Sequence, residues 1–583
     1  MNIFTTVREE IFQALRFLTE EGKVPFFDEN DLKRVAVEPP RDSSFGDVAT
    51  NACLVLASKA KMKPRDMAEL LTSRLGKNPF VETTQIAGAG FVNMRLSNAF
   101  WTRQLETILK EGIHYGDSSM GNGEKVNVEF TSANPTGPLH VGHSRGAVFG
   151  DALSSLLQKA GYDVTREYYI NDAGAQVAKL ARSAYLRYLE ALGQNIGEIP
   201  AGLYPGEYLK KVGVKIAEKD GNKWVDVAEE EYLPYFKKVS TDLMMKMIKE
   251  DLALAHIHFD VFSSEKAIAE SGAVEKVMDF LDKEGLIYQG VLEKPKGAKA
   301  ADDWEPHEMT IFKSTLFGDE VDRPLRRSDG SYTYFTPDIA YQLDKYKRGF
   351  KKLIMVLGAD HAGYVARMKA AVKAVTKADA EIDFLLCQMI NFTENGQPVK
   401  MSKRAGTFVT FKDLLDEVGT DVVRFYLLTR KQDSQLDFDF VKVKEQSKDN
   451  PVFYVQYAYA RGASVKRLAE ETFGQTADEL IKTADLSLLK EEELSVVRLL
   501  SLWPRQVEMA ALAYEPHRLA YFLFDVASLF HGLWNKGRED ASKRFIDPKN
   551  KELSKARLAL VSGVMTVIES GLAVFGVAPA EEM

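Results

Sequence analysis

Between residues 125 and 169 the sequence alternates strand, helix and strand, and this alternation limits the fold more than any other stretch. Residues 125–130 read as a buried strand, and a loop rich in Pro and Gly follows. Residues 141–160 then carry apolar side chains at helical spacing, and 162–169 read as the next strand. Gly161 stands where a helix favours a left-handed residue at its end. Two strands joined by a crossover helix run parallel, and a parallel sheet is covered on both faces. The pattern returns downstream as a strand at 352–357, a helix at 364–376 and a strand at 384–392.

The predicted class is α/β, with a Rossmann-like doubly wound parallel sheet at its centre. Residues 116–445 are assigned to this catalytic domain. Gly, Pro and charged residues break the alternation at about 190–250, which reads as an inserted, partly helical segment. Residues 1–115 mix amphipathic helices (7–19 and 64–75) with the alternating run from Phe91 to Leu96, a small α+β domain. From 446 to 583 the three- and four-residue spacing of apolar side chains predicts an α-helical bundle, with helices at 454–468, 493–512, 516–535 and 553–575.

The 583 residues are 45% hydrophobic and 27% charged, the balance of a soluble protein of several domains. No uninterrupted apolar leader or bilayer-length run is evident, so a cytoplasmic protein without membrane contact is expected. The two cysteines, Cys53 and Cys387, are far apart and read as buried apolar residues, not a disulfide or zinc site. His256 and His258 are close enough to suggest a metal pair, but no Cys or acidic cluster joins them, so no protein-ligated metal is expected. The net charge of −8 does not suggest a nucleic-acid partner, and residues 446–583 hold 17 Lys and Arg against 19 Asp and Glu. Phosphate affinity depends on local patches, so this does not exclude one.

Two short motifs carry chemistry. His140-Val141-Gly142-His143 follows the first strand and opens the helix. That is the crevice where α/β sheets bind nucleotides, and a helix N-terminus offers unpaired N–H groups to phosphate. Gly142 leaves room for a nucleotide beside the backbone, and His140 and His143 can donate to phosphate oxygens as charge builds on them. Lys400-Met401-Ser402-Lys403 follows the strand ending near Phe392 and the tight-turn signal Asn395-Gly396. Two lysines three apart could close over a polyphosphate. Taken singly, the first motif could be an ordinary helix start and the second a solvated basic loop.

Together, in this order, the motifs resemble the HIGH and KMSKS signatures of class I aminoacyl-tRNA synthetases, with Val141 in place of Ile and Arg404 in place of the final Ser. Neighbouring stretches are similar to the arginyl-tRNA synthetases in particular. These are Glu129-Phe130-Thr131-Ser132-Ala133-Asn134-Pro135, Asn171-Asp172-Ala173-Gly174-Ala175-Gln176, Gly358-Ala359-Asp360-His361 and the run from Asn450 to Ala458. The resemblance covers nearly the whole chain and is weakest at 190–250.

The resemblance implies an arginine–tRNA ligase that forms arginyl-adenylate from ATP, which brings its own Mg2+, and transfers arginine to tRNA(Arg). It implies His140, His143, Lys400 and Lys403 as catalytic, with Gly137, Gly142, Met401 and Ser402 at ATP. Glu129, Ser132, Asn134, Tyr334, Asp338 and Gln342 are implied around the amino acid. For Asp338 the local pattern agrees: 332–335 reads as a strand, Thr336 as a helix cap and Pro337 as the first helical residue, placing Asp338 in the first turn. Phe91 and Asn93 at the tRNA elbow, and Tyr457, Trp534 and Met583 at the anticodon, are implied RNA contacts. The expected partners are tRNA, ATP and L-arginine, with no DNA, and the expected state is a monomer whose activation step requires bound tRNA. Competing readings are another class I synthetase, a small-molecule nucleotidyl transferase, and an RNA-binding relative without catalysis. The intact histidines and lysines weigh against the last.

Overall fold

The computed structural model describes residues 2–292, 307–399 and 410–583, so the stretch from Lys400 through Met401, Ser402 and Lys403 to Arg404 lies outside the described residues. The chain forms two compact units, one of Gly121–Glu445 and one of Met1–Met120 with Gln446–Met583.

The first unit is built on five strands: β1 (Lys125–Glu129), β2 (Asp163–Ile170), β3 (Val261–Ser264), β4 (Lys352–Gly358) and β5 (Glu381–Cys387). Their lateral order is β5-β4-β1-β2-β3, and every neighbouring pair is parallel. The chain steps outward from β1 to β3, then returns to the other side of β1 as β4. In a sheet wound this way the crossovers part at the reversal, and a crevice opens at the carboxyl ends of β1 and β4.

The helix entering that crevice starts with a single 3-10 turn, Val141–His143, and continues as Ser144–Lys159. It ends before Gly161, whose φ of +92° is the left-handed stop its position suggested. Gly150 lets the helix lie against the strand end. A Cβ there would stand 2.2 Å from the Phe130 ring, so no other residue permits this approach. Helices Ala273–Lys283, Phe335–Lys347 and Ala362–Val375 pack an apolar core with β4 and β5.

Three expectations for this unit need correction. The predicted strand at 384–392 is two strands. β5 ends at Cys387, and Ile390–Glu394 joins a separate sheet with Gln397–Pro398 and Leu436–Asp439. The break is enforced at Gln388, whose N–H donates to Gln432 (2.8 Å) and whose carbonyl accepts from Arg145 (3.0 Å). The Asn395-Gly396 turn holds as read, both residues having positive φ between antiparallel partners. Residues 332–335 are not a strand: Tyr332 makes one isolated bridge to Arg326, and the helix already begins at Phe335 with Tyr334 as its cap residue. Asp338 still falls in the first turn. The 190–250 region is more helical than its Gly and Pro content suggested. Helices Ala175–Ala191, Tyr208–Asp220 and the 26-residue Glu229–Leu254 enclose their own core of Leu180, Leu209, Ile216, Phe236 and Met244. Pro234 is accommodated near the start of the last of these.

In the second unit, a four-stranded antiparallel sheet (Val37–Glu38, Val48–Thr50, Phe91–Leu96, Val81–Ala87) packs with helices Ile3–Glu20, Ala52–Ala60 and Pro64–Leu75. The bundle contains Pro451–Phe473, Glu491–Leu500, Trp503–Ala513, His517–Glu539 and Lys551–Val574. The helix predicted at 493–512 is interrupted at Ser501–Leu502, just before Pro504, which lacks the N–H a continuous helix would need. Lys551–Val574 is long and apolar enough to cross a bilayer, but the bundle buries most of it. The Tyr115 carbonyl accepts from Trp503 Nε1–H and Ser570 Oγ–H, both at 3.0 Å, and joins the two sequence-distant pieces of the unit.

Candidate active site

A cleft of about 770 Å³ opens at the reversal between β1 and β4, within the usual range for ligand sites. One wall is the histidine loop. The His140 backbone N–H donates to His143 Nδ1 (3.1 Å), and the Gly142 N–H donates to His140 Nδ1 (3.1 Å). Each Nδ1 therefore accepts, so each neutral ring carries its proton on Nε2. Burial lowers the pKa of both rings, and for His143 the proximity of His140 lowers it further. The loop thus presents two neutral Nε2–H donors beside the positive end of the helix Ser144–Lys159, a setting suited to an anion. Arg145 fixes the start of that helix by donating to the carbonyls of Gln388 (3.0 Å), Ser434 (2.7 Å) and Lys431 (2.8 Å).

Immediately after β1, Thr131 and Ser132 have φ of +66° and +37°. Two successive non-glycine residues in this region are strained, and such strain gathers at ligand sites. It aims Ser132 Oγ back at Glu129 Oε1 (3.3 Å) while the same oxygen accepts from the Tyr169 N–H (3.0 Å).

The cleft presents Glu129 and Asp338, with Glu167 and Glu265 close by, and these charges fall into two groups. Glu129 Oε2 pairs with the fully buried Lys345 at 2.5 Å, and Glu167 takes Arg348 at 2.8 Å, so these acids are matched. Among the described residues, Asp338 and Glu265 have no such ion-pair partner. Asp338 accepts from the Tyr364 hydroxyl (2.8 Å), and its pKa is pushed up to about 7, mainly by burial and then by the nearby Glu265 and Glu129, with Tyr364 and Arg367 acting against the rise. Glu265 Oε2 is buried without a hydrogen-bond partner, and its carboxyl is raised by burial and by Asp172. Tyr169 stacks on Tyr341 at 4.4 Å and leaves its hydroxyl buried without a hydrogen-bond partner among the described residues. Among the described residues, the cleft therefore offers a carboxylate without an ion-pair partner beside an unused hydroxyl, a setting suited to a cation with several donors.

The expected residues distribute unevenly. Glu129, Ser132, Asn134, His140, Gly142, His143 and Asp338 all line the cleft. Gly137 lines a smaller adjoining hollow of about 320 Å³, which shares Asn134, His140 and His143 with the main one and is closed by Tyr204 and Tyr208. Tyr334 is 68% exposed and does not line the cleft. Gln342 lies beneath the floor, its Nε2–H donating to Met355 Sδ (3.4 Å) and its Oε1 unpartnered. Asn134 is exposed, with its amide donating to Gln176 Oε1 (3.1 Å). Lys400, Met401, Ser402 and Lys403 lie outside the described residues. Sequence reasoning missed Glu265, Tyr169 and Tyr364 as contributors. Glu265 follows a helix-capping Ser, and the tyrosines sit in runs that read as strand and core helix, so only the fold shows that they converge. Among the described residues, no group of three or more His, Cys, Asp and Glu side chains is placed to hold a metal ion.

In the other unit, Phe91 is 46% exposed whereas Asn93 is only 6% exposed within its strand, so Asn93 is not a surface contact as it stands. Arg461 lies over the rings of both Tyr457 (4.2 Å) and Trp534 (4.9 Å), leaving those aromatics half-buried, and Met583 is exposed.

The sequence was also compared with known proteins. Three family profiles match successive parts of the chain: the arginyl tRNA synthetase N-terminal domain at 5–96, the class I tRNA synthetase (R) catalytic domain at 104–437 and the DALR anticodon-binding domain at 455–583. The chain is 54% identical to the arginine–tRNA ligase of Parvibaculum lavamentivorans over all of both proteins. It superposes with a TM-score of 0.72 on a Campylobacter jejuni structure provisionally assigned as an arginyl-tRNA synthetase, with 31% identity over 84% of this chain and 100% of that one. The Thermus thermophilus arginyl-tRNA synthetase shares the fold at a TM-score of 0.69 and 22% identity, with both chains covered in full. With the sheet order, the histidine loop and full-length identity in agreement, the chain belongs to the arginyl-tRNA synthetase family.

Proposed function

We propose that this chain is a cytoplasmic, monomeric arginine–tRNA ligase. An arginine carboxylate oxygen attacks the α-phosphorus of ATP, the bond to the β-phosphate breaks, and arginyl-adenylate and pyrophosphate result. A ribose hydroxyl at the tRNA 3′ end then attacks the adenylate carbonyl, the hydroxyl proton is lost, and AMP departs. Catalysis in the first step is chiefly positioning and charge stabilisation.

In this reading the Nε2–H groups of His140 and His143 hold the transferring phosphate, and Lys400 and Lys403 neutralise the departing pyrophosphate, with Mg2+ arriving on the nucleotide. Gly137, Gly142, Met401 and Ser402 border ATP. Glu129, Ser132 and Asn134 surround the amino-acid backbone, while Asp338 with Glu265 receives the guanidinium. Tyr334 and Gln342 act there after local movement. The other unit carries tRNA contacts at Phe91, Tyr457, Trp534 and Met583.

The observation that carries this reading is the pairing, in one cleft, of two neutral donors at a helix start with Asp338, a carboxylate that has no ion-pair partner among the described residues and has the buried Glu265 nearby. Guanidinium is a planar fork of five donors that suits such a site. A site built for it leaves acceptors unpaired when another amino acid enters, which can be worth roughly 10⁴-fold in discrimination. The test is charging of total tRNA with labelled arginine beside lysine, glutamate and cysteine. Arginine alone should be attached, and attachment of none or of another would refute the reading.

A further inference from the structure

Asp251 is a buried carboxylate in the last turn of the helix Glu229–Leu254, outside the cleft lining. The Leu139 backbone N–H donates to its Oδ2 at 3.3 Å. Leu139 immediately precedes His140. On the other side of the same residue, the Leu139 carbonyl accepts from the Phe411 N–H at 2.8 Å, and His140 forms an antiparallel bridge with Thr410. Thr410 caps the helix Phe411–Val418 and follows Arg404 by six residues.

The same long helix is fastened to this region a second time. The Leu254 carbonyl accepts from Thr420 Oγ–H (2.9 Å), and the Ala255 carbonyl accepts from Arg424 Nη1 (2.7 Å). Arg424 also pairs with Asp151 on the helix that the histidine loop opens. The last helix of the insertion therefore grips the histidine loop by one carboxylate and, through the carbonyls of Leu254 and Ala255, the helix Thr420–Leu427. A buried acid is costly to keep unless it does something an apolar residue could not. Here it satisfies a loop N–H that a leucine would orphan.

We propose that Asp251 is a positioning residue: through the Leu139 peptide it holds the histidine loop in fixed register with the segment that follows the two lysines. This rests on the reading of both motifs as phosphate-binding elements, and it gives the inserted segment a part in adenylate formation. The insertion's last helix is a brace between the two halves of the phosphate site. Misplacement of such groups by about 1 Å costs on the order of 10²-fold in rate.

The test is arginine-dependent pyrophosphate exchange, run with tRNA present, on Asp251→Ala and Asp251→Asn. Alanine removes the acceptor and should lower kcat by ~10-fold or more with KM for arginine within ~2-fold, the signature of a lost transition-state arrangement. Asparagine keeps an oxygen for the Leu139 N–H and should recover kcat to within ~3-fold of the native chain. Alanine at native kcat, or asparagine as impaired as alanine, would overturn the proposal. Amide hydrogen exchange on the native chain gives an arm that does not depend on how the variants fold. The Leu139 and Phe411 amides should open together, at rates within ~3-fold of each other, as one cooperative unit. Unrelated exchange rates would overturn the brace. Absence of any arginine-dependent exchange would refute the functional reading instead, and the amide measurement would still decide the brace.

Discussion

Replacing Asp338 by asparagine removes one negative charge and changes little else. The asparagine oxygen can still accept from the Tyr364 hydroxyl, which donates to Asp338 at 2.8 Å. If the guanidinium of arginine pairs with this carboxylate, truncating a desolvated charge pair costs about 2–5 kcal/mol, so kcat/KM for arginine should fall on the order of 30- to 5,000-fold. The empty protein should respond in the opposite sense. The Asp338 carboxyl is lifted from 3.8 to about 7 by burial and neighbouring acids. Its ionised form is thus penalised in the folded state by on the order of 1–4 kcal/mol, which asparagine relieves. A raised carboxyl pKa places that penalty at high pH. It is full above about pH 7 and vanishes as pH falls towards 4, where folded and unfolded chains are both protonated. Asp338→Asn should therefore unfold at higher urea than the native chain at pH 8, with the gap closing towards pH 4. KM for arginine in the native chain should rise as pH falls below 7 and stay flat in the variant. An unchanged kcat/KM for arginine, or a variant less stable than the native chain at pH 8, would refute the assignment of Asp338 as the cation's partner.

Lys403→Ala should lower the activation rate about 10²–10³-fold, by loss of one electrostatic donor at the transition state, and an unchanged pyrophosphate exchange rate would remove Lys403 from the mechanism. Gly150→Ala should destabilise the catalytic unit by about 1–3 kcal/mol or more in urea denaturation, because its methyl would stand 2.2 Å from the Phe130 ring and neither helix nor strand can retreat cheaply. Lys345→Met leaves Glu129 buried without its cation and should cost about 3–5 kcal/mol in the same measurement, with loss of arginine binding in parallel.

The phosphate side of the site was legible because its signals are local. A helix start, a glycine and two histidines within four residues specify one wall, and the neighbouring strand pattern specifies where that wall lies in a parallel sheet. The amino-acid side was legible only in part. Asp338 could be placed in a first helical turn, but the helix begins at Phe335 instead of Pro337, and that shift leaves Tyr334 outside the cleft. Glu265 and Tyr364 lie 73 and 26 residues from Asp338, and no periodicity links them. The insertion was underestimated because Gly and Pro punctuate its connections, while the stacking of Tyr185 on Tyr232 at 3.8 Å and the core around Phe236 are tertiary facts.

From the residues alone one could read the α/β class, the helical character of residues 446–583 and the place of the histidine loop, since each follows from periodicity and turn chemistry along a few successive residues. It took the folded chain to show that Lys345 neutralises Glu129 while Asp338 and Glu265 find no ion-pair partner among the described residues, and that Asp251 reaches across to Leu139. Charge balance and burial depend on which distant side chains share a volume, and that is settled by how the layers pack, not by the order of residues within any one of them.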